Sequence, residues 1–182
     1  MRLALKYLFF SFLFMFNANS AIASEFKSGD IVFRQENSIV SRIFAEAENS
    51  EYAHIGIIFN KDNETFVVHS EIADGEDGLR VQKWNDFIKN ANRWMVTRHN
   101  KNVSLSKINF AIEKYIRLKP KFNLAFSHGN KDKMYCTELV NAIYLDAYDI
   151  ELAKTKTKYS TFEFISTKDI YQNKDLNLIR KF

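Results

Sequence analysis

The sequence predicts an α+β fold, with a mostly antiparallel sheet packed against helices. Three observations carry this. Short β-rich runs follow one another through residues 29–99, separated by polar turns. Two longer segments, 105–118 and 136–148, repeat apolar residues at helical spacing. With one proline and five glycines in 182 residues, no stretch has the composition of an interdomain linker.

The chain opens with a basic stretch, "MRLALKY", and an apolar one, "LFFSFLFMF", too short to span a bilayer as a helix. "NANSAIAS" then supplies small residues, with Ala21 and Ala23 in an A-x-A arrangement. This pattern predicts a secretory signal peptide over residues 1–23, cleaved after Ala23, and a single domain over 24–182. No cysteine follows the expected cut, which argues against a lipoprotein anchor, and no later stretch is apolar and long enough to be a transmembrane segment. The expected location is therefore periplasmic or secreted. Losing Arg2 and Lys6 leaves 24 basic against 22 acidic residues, a net charge of +2 that does not call for nucleic acid.

The elements follow in order. "GDIVFRQ" reads as a strand after a Gly-Asp turn. Ser38 is a fitting N-cap for a helix over 38–48 whose apolar face carries Ile39, Ile43 and Ala47. "AHIGIIFN" and "TFVVHSEI" form an antiparallel hairpin around a polar turn near 61–63. "DGEDG" reads as a loop, "LRVQKW" as a strand, "NDFIKNA" as a short helix and "RWMVTRH" as a strand. The helix over 105–118 gathers Ile108, Ile112, Tyr115 and Ile116 on one face, and Pro120 ends it. After a loop over 122–134, the helix over 136–148 places Cys136, Leu139, Val140, Ile143 and Tyr144 together. "STKDIY" begins a short helix, and "LNLIR" is a last strand.

Cys136 is the only cysteine, so it forms no internal disulfide. It is either a small buried hydrophobe or a reactive thiol. Its position at a helix start favours the second reading, because unpaired amides there stabilise a thiolate. Thiol chemistry also needs a base and a group that orients it. The hairpin supplies two histidines, His54 and His69, which adjacent strands can bring together. Gly56, on the same face as His54, leaves room there. His99 and His128 read as surface or loop residues, and Asp30 as the residue that fixes the turn before the first strand. His54, His69 and Cys136 could hold zinc, but no pair has the short spacing of a zinc motif, so no metal and no cofactor are expected.

The ordered segments "GDIVF", "HIGIIF" and "VVHSE" resemble the NlpC-type, papain-like cysteine peptidases. In that superfamily the cysteine normally precedes the G-D segment. Here "YCTELV" comes last, an order that resembles the circularly permuted YiiX/YaeF-like branch with its "YCSEL". The resemblance spans nearly the whole chain after the signal segment. It implies a permuted papain-like fold, Cys136 as nucleophile and His54 as general base and acid. His69 is implied as the residue orienting His54. Permuted relatives resemble one another in a glutamate at that point, so Glu71 is the alternative. Tyr135 is implied to line an oxyanion or substrate pocket, while Thr137 and Glu138 satisfy first-turn amides.

The function this implies is an exported cysteine amidase or peptidase, a hydrolase acting on the amide of a peptidoglycan stem peptide. The alternative is a thiol acyltransferase or hydrolase on a lipid or N-acyl substrate, since lecithin:retinol acyltransferase-like enzymes in the superfamily also place two histidines before the cysteine. A non-catalytic binding module is the third reading. Specificity is expected from the loops at 74–78 and 122–133.

Overall fold

A computed structural model of the chain describes residues 25–73, 75–102, 104–126, 130–159 and 162–182. The segment read as a signal peptide, its cleavage point and His128 lie outside the described residues.

Six strands form one antiparallel sheet: β1 (Ile31–Glu36), β2 (His54–Lys61), β3 (Glu64–Ala73), β4 (Glu76–Lys83), β5 (Ala91–His99) and β8 (Leu176–Lys181). Their order is β4-β3-β2-β1-β5-β8. A separate hairpin joins β6 (Thr157–Tyr159) to β7 (Phe162–Phe164). The helices are α1 (Ile39–Glu48), α2 (Trp84–Ile88), α3 (Leu105–Leu118), α4 (Cys136–Tyr148) and α5 (Thr167–Tyr171).

Both faces of the sheet are covered, which is why β1 reads as the unbroken apolar run IVF rather than an alternation. On one face Ile31, Phe33, Ile55, Ile57 and Val68 pack against Ile108, Ile112 and Tyr115 of α3 and Leu139, Val140 and Ile143 of α4. On the other, Val32, Ile58, Val67 and Val96 pack against Phe26, Trp84, Phe87 and Trp94. Alternate residues of each central strand thus feed two cores.

The hairpin forms where expected. Lys61 pairs with Glu64, and Asp62 and Asn63 turn the chain with φ of 51° and 62°. Two successive positive φ values are those of a type I′ turn, whose twist matches the strands it joins. α3 stops at Leu118, with Lys119 in the left-handed region one residue before Pro120.

Four expectations change. The helix at 39–48 forms with Ser38 as its cap, but Ile39, Ile43 and Phe44 are exposed, and among its described side chains the buried one is Glu48. The helical period identifies a face and not the side on which the core lies. Most of the supposed loop at 74–78 belongs to β4, because Gly78 (φ 125°) lies directly under Pro120: a Cβ there would be 2.4 Å from the Pro120 carbonyl oxygen. His99 is buried, 4% exposed, and accepts from the Lys101 N–H at 3.1 Å. The β6–β7 hairpin is an addition that the short polar sequence around it did not announce. Asp30 does hold its turn, accepting from the Lys27 N–H at 2.8 Å, and it also takes both arms of the Arg98 guanidinium at 2.6 and 2.7 Å.

Candidate active site

The β2–β3 ladder runs from Lys61/Glu64 to Ile57/Val68 and stops. Beyond it the strands part, and the segment entering α4 fills the opening. The Ser70 hydroxyl donates to the Met134 carbonyl at 2.6 Å, and the backbone N–H of Ile55, which no β3 residue takes, points at the sulfur of Cys136. The thiol therefore lies against the His54–Ile55 peptide.

Cys136 is the first residue of α4 and is half-buried. No side chain caps this helix. Thr137 instead donates its hydroxyl to the Ile165 carbonyl at 2.5 Å, and Glu138, in the first turn, accepts from Asn123 at 3.5 Å. The N–H groups of Thr137 and of Cys136 itself are left to the sulfur. These amides lower the thiol pKa. Burial and the nearby Glu48 carboxyl raise it more, so that the thiol is pushed up to about 12.

The imidazoles lie on the other face of the sheet, over α2. His54 Nε2 is 2.8 Å from His69 Nδ1, and both rings lie near Phe87, with centroids 5.9 and 5.0 Å away. Gly56 makes this approach possible: a Cβ there would stand 2.4 Å from Val67 Cγ1 and 3.3 Å from His69 Cβ. The space it leaves thus serves His69. His69 is fully buried, and its Nε2 is 3.0 Å from Gln82 Oε1.

Arg34, also buried, closes the cluster. It donates to Glu71 Oε1 and the Phe87 carbonyl, both at 2.6 Å, and its guanidinium lies 4.2 Å over the Phe87 ring. Burial first and the Arg34 charge second disfavour a second proton on either imidazole. His54 is held well below the usual histidine range and His69 at about 3. At neutral pH the site rests as neutral thiol and neutral imidazoles.

The structure thus brings His54 and His69 together, and sets the Cys136 sulfur against the His54–Ile55 peptide from the opposite face of the sheet. Glu71 is bound to Arg34, and its other oxygen is 3.9 Å from His69 Nδ1, so it stands behind the imidazole pair. Tyr135 is 2% exposed, its ring lies beside Phe126, and its hydroxyl accepts from the Ile165 N–H at 3.0 Å. It fastens α4 to the segment before α5. Sequence reading missed Arg34, Glu48 and Gln82, whose neighbours are set by strand pairing and helix packing.

His54, His69 and Glu71 offer ligand atoms within 4.8 Å of one another, a group without Cys136. They do not fit a metal as arranged. The 2.8 Å imidazole contact needs a proton between the nitrogens, whereas a metal needs both lone pairs, and Arg34 already sets a positive charge on Glu71. A cleft of about 760 Å³ between α1, α5 and the start of β5 is lined by residues such as Arg42, Glu46, Arg93 and Lys168 and does not include Cys136 or His54.

A family model described as "Permuted papain-like amidase enzyme, YaeF/YiiX" matches residues 25–173. No curated protein matches the chain. The fold is similar to that in the crystal structure of the metalloprotein yiiX from Escherichia coli, with a TM-score of 0.73 and 18% identity, covering 86% of this chain and 97% of that one.

Proposed function

The chain belongs to the YaeF/YiiX family of permuted papain-like amidases and is a cysteine-type hydrolase; from that premise we propose that it is exported and cleaves an amide of a peptidoglycan stem peptide through Cys136, His54 and His69. The observation that carries the reading is the Cys136 sulfur against the His54–Ile55 peptide, with His54 bonded in turn to His69.

His54 takes the thiol proton as the sulfur attacks the carbonyl carbon, because the resting pair is neutral and the proton must move with bond formation. The carbonyl oxygen becomes an oxyanion, stabilised by uncapped amides at the start of α4. The C–N bond then breaks, and His54 returns the proton to the leaving amine. Water attacks the acyl-enzyme with His54 again as base, releasing the acid and the thiol. His69 holds His54 in orientation throughout.

The test uses the purified mature chain and its Cys136→Ala variant on isolated muropeptides. Cleavage by the wild type alone is expected; wild type and variant both failing on every muropeptide overturns the substrate. Export is tested by N-terminal sequencing of the protein from the periplasm and the medium, where the chain is expected to start at Ser24.

A second reading, acyl transfer or hydrolysis on a lipid or N-acyl substrate, is favoured by the exposed Ile39, Ile43 and Phe44 of α1. Phe44 meets Phe126, which packs on Tyr135 beside the nucleophile. Mass spectrometry after incubation with labelled phospholipid separates the two readings, since only this one expects the labelled fatty acyl group on Cys136.

The E. coli relative in fold is described as a metalloprotein. For this chain we place no metal in the reaction, for the geometric reason given above. Activity is expected to be unchanged by chelators and abolished by iodoacetamide; loss on metal removal that zinc restores overturns this.

A further inference from the structure

We infer that Gln82 is a positioning residue that sets the working tautomer of both histidines. The inference rests on His54 being the base. It starts from β4, where Gln82 pairs with Val67, two residues before His69 on the same strand face, and reaches the imidazole. Its Oε1 lies 3.0 Å from His69 Nε2. An amide oxygen only accepts, so His69 Nε2 carries the ring proton. A neutral imidazole has one such proton, so His69 Nδ1 presents a lone pair. At 2.8 Å that lone pair requires a donor, so His54 carries its proton on Nε2. His54 Nδ1 is then the atom free to receive a proton from the thiol. One amide fixes, two rings away, which nitrogen is the base.

The reverse arrangement has the same number of hydrogen bonds. With the Gln82 amide nitrogen facing His69, both rings would exchange tautomers, and His54 Nδ1 would already hold a proton. Burial and the Arg34 and Arg80 charges around His69 keep a second proton off the ring, so the chain of single protons stays directional. An ionised glutamate at this position can only accept and would preserve the direction. A leucine would leave it unset.

The test measures histidine tautomers by two-bond ¹⁵N–¹H NMR in the substrate-free protein, with His99 and His128 assigned by substitution. The wild type is expected to show His69 and His54 both protonated at Nε2. Gln82→Leu is expected to show mixed tautomers and a roughly ten-fold fall in the rate of Cys136 alkylation at neutral pH, the scale of one lost hydrogen bond. Gln82→Glu is expected to restore both to near wild type. His69 protonated at Nδ1 in the wild type overturns the inference, as does a Leu variant with unchanged tautomers. A merely structural Gln82 would lower Tm in the variants without moving the ¹⁵N signature. Because no substrate enters the NMR measurement, a failure of the muropeptide assay leaves this result intact, and the two can fail separately.

Discussion

Glu48 Oε2 accepts from the Thr167 N–H at 2.9 Å and lies 2.7 Å from the Thr167 hydroxyl oxygen. The same hydroxyl is 2.6 Å from the Tyr52 carbonyl oxygen. One hydroxyl proton cannot serve two acceptors. The contacts are best satisfied when the Glu48 carboxyl is protonated and donates to the hydroxyl, which then donates to Tyr52. Burial agrees, raising this carboxyl from 4.5 to about 7.

Glu48→Gln therefore changes stability in a pH-dependent way. The raised pKa means the folded state holds the proton more tightly than the unfolded one. The wild type thus loses stability from pH 4.5 up to about 7, and the full loss remains above 7. The glutamine variant lacks this loss, so urea denaturation is expected to show it gaining on the wild type by roughly 3 kcal/mol between pH 4.5 and 8. An equal difference at both pH values refutes the assignment. The variant's thiol is also expected to alkylate faster above pH 7, since Glu48 raises the Cys136 pKa.

The resting thiol predicts a particular alkylation profile. With Cys136 pushed up to about 12 and His54 held low, the iodoacetamide rate should climb steadily from pH 6 to 10. A plateau beginning near pH 5 would mean a preformed thiolate–imidazolium pair and would contradict the neutral ground state.

Gly56→Ala should act on the histidines through the backbone. The new methyl would meet Val67 Cγ1 at 2.4 Å and the Val68 carbonyl oxygen at 3.2 Å. Overpacking of this kind costs about 1–3 kcal/mol. Displacing His69 should also lower turnover more than substrate affinity. A variant with wild-type Tm and rate would show that the strands yield freely.

Arg34→Met tests the cation beside the imidazoles. Removing one member of a buried ion pair costs about 3–5 kcal/mol. The His69 pKa should rise from about 3, while desolvation, the larger cause, keeps it below 6.5. In the wild type this low value means that stability falls as pH drops below 6.5 toward 3, because only the unfolded chain takes up the proton. NMR titration of the variant should move the lower limit of that window upward.

The histidine pair could be read from the chain because a strand alternates with a fixed period and the turn at Asp62–Asn63 fixes the register. Cys136 could be read because the apolar helical pattern begins on it. What surrounds them could not. Gln82 reaches His69 only once β4 has paired with β3, and Glu48 nears the thiol only through the packing of α1 and α5. The side on which α1 meets the core, like the burial of His99, depends on which sheet faces are covered. Tyr135 adjoins Cys136 in sequence, yet its side chain is bound to Ile165, thirty residues downstream.

That last attachment makes the setting of Cys136 a shared possession of distant parts of the chain. Tyr135 and Thr137 flank Cys136, and both are tied to Ile165, one at its N–H and one at its carbonyl. A single peptide cut between α4 and α5 would leave every reacting atom present and covalently intact while loosening the residues on either side of the thiol. The exposed stretch from Lys154 to Lys156 is thus a point from which a protease could disarm the enzyme without reaching the thiol.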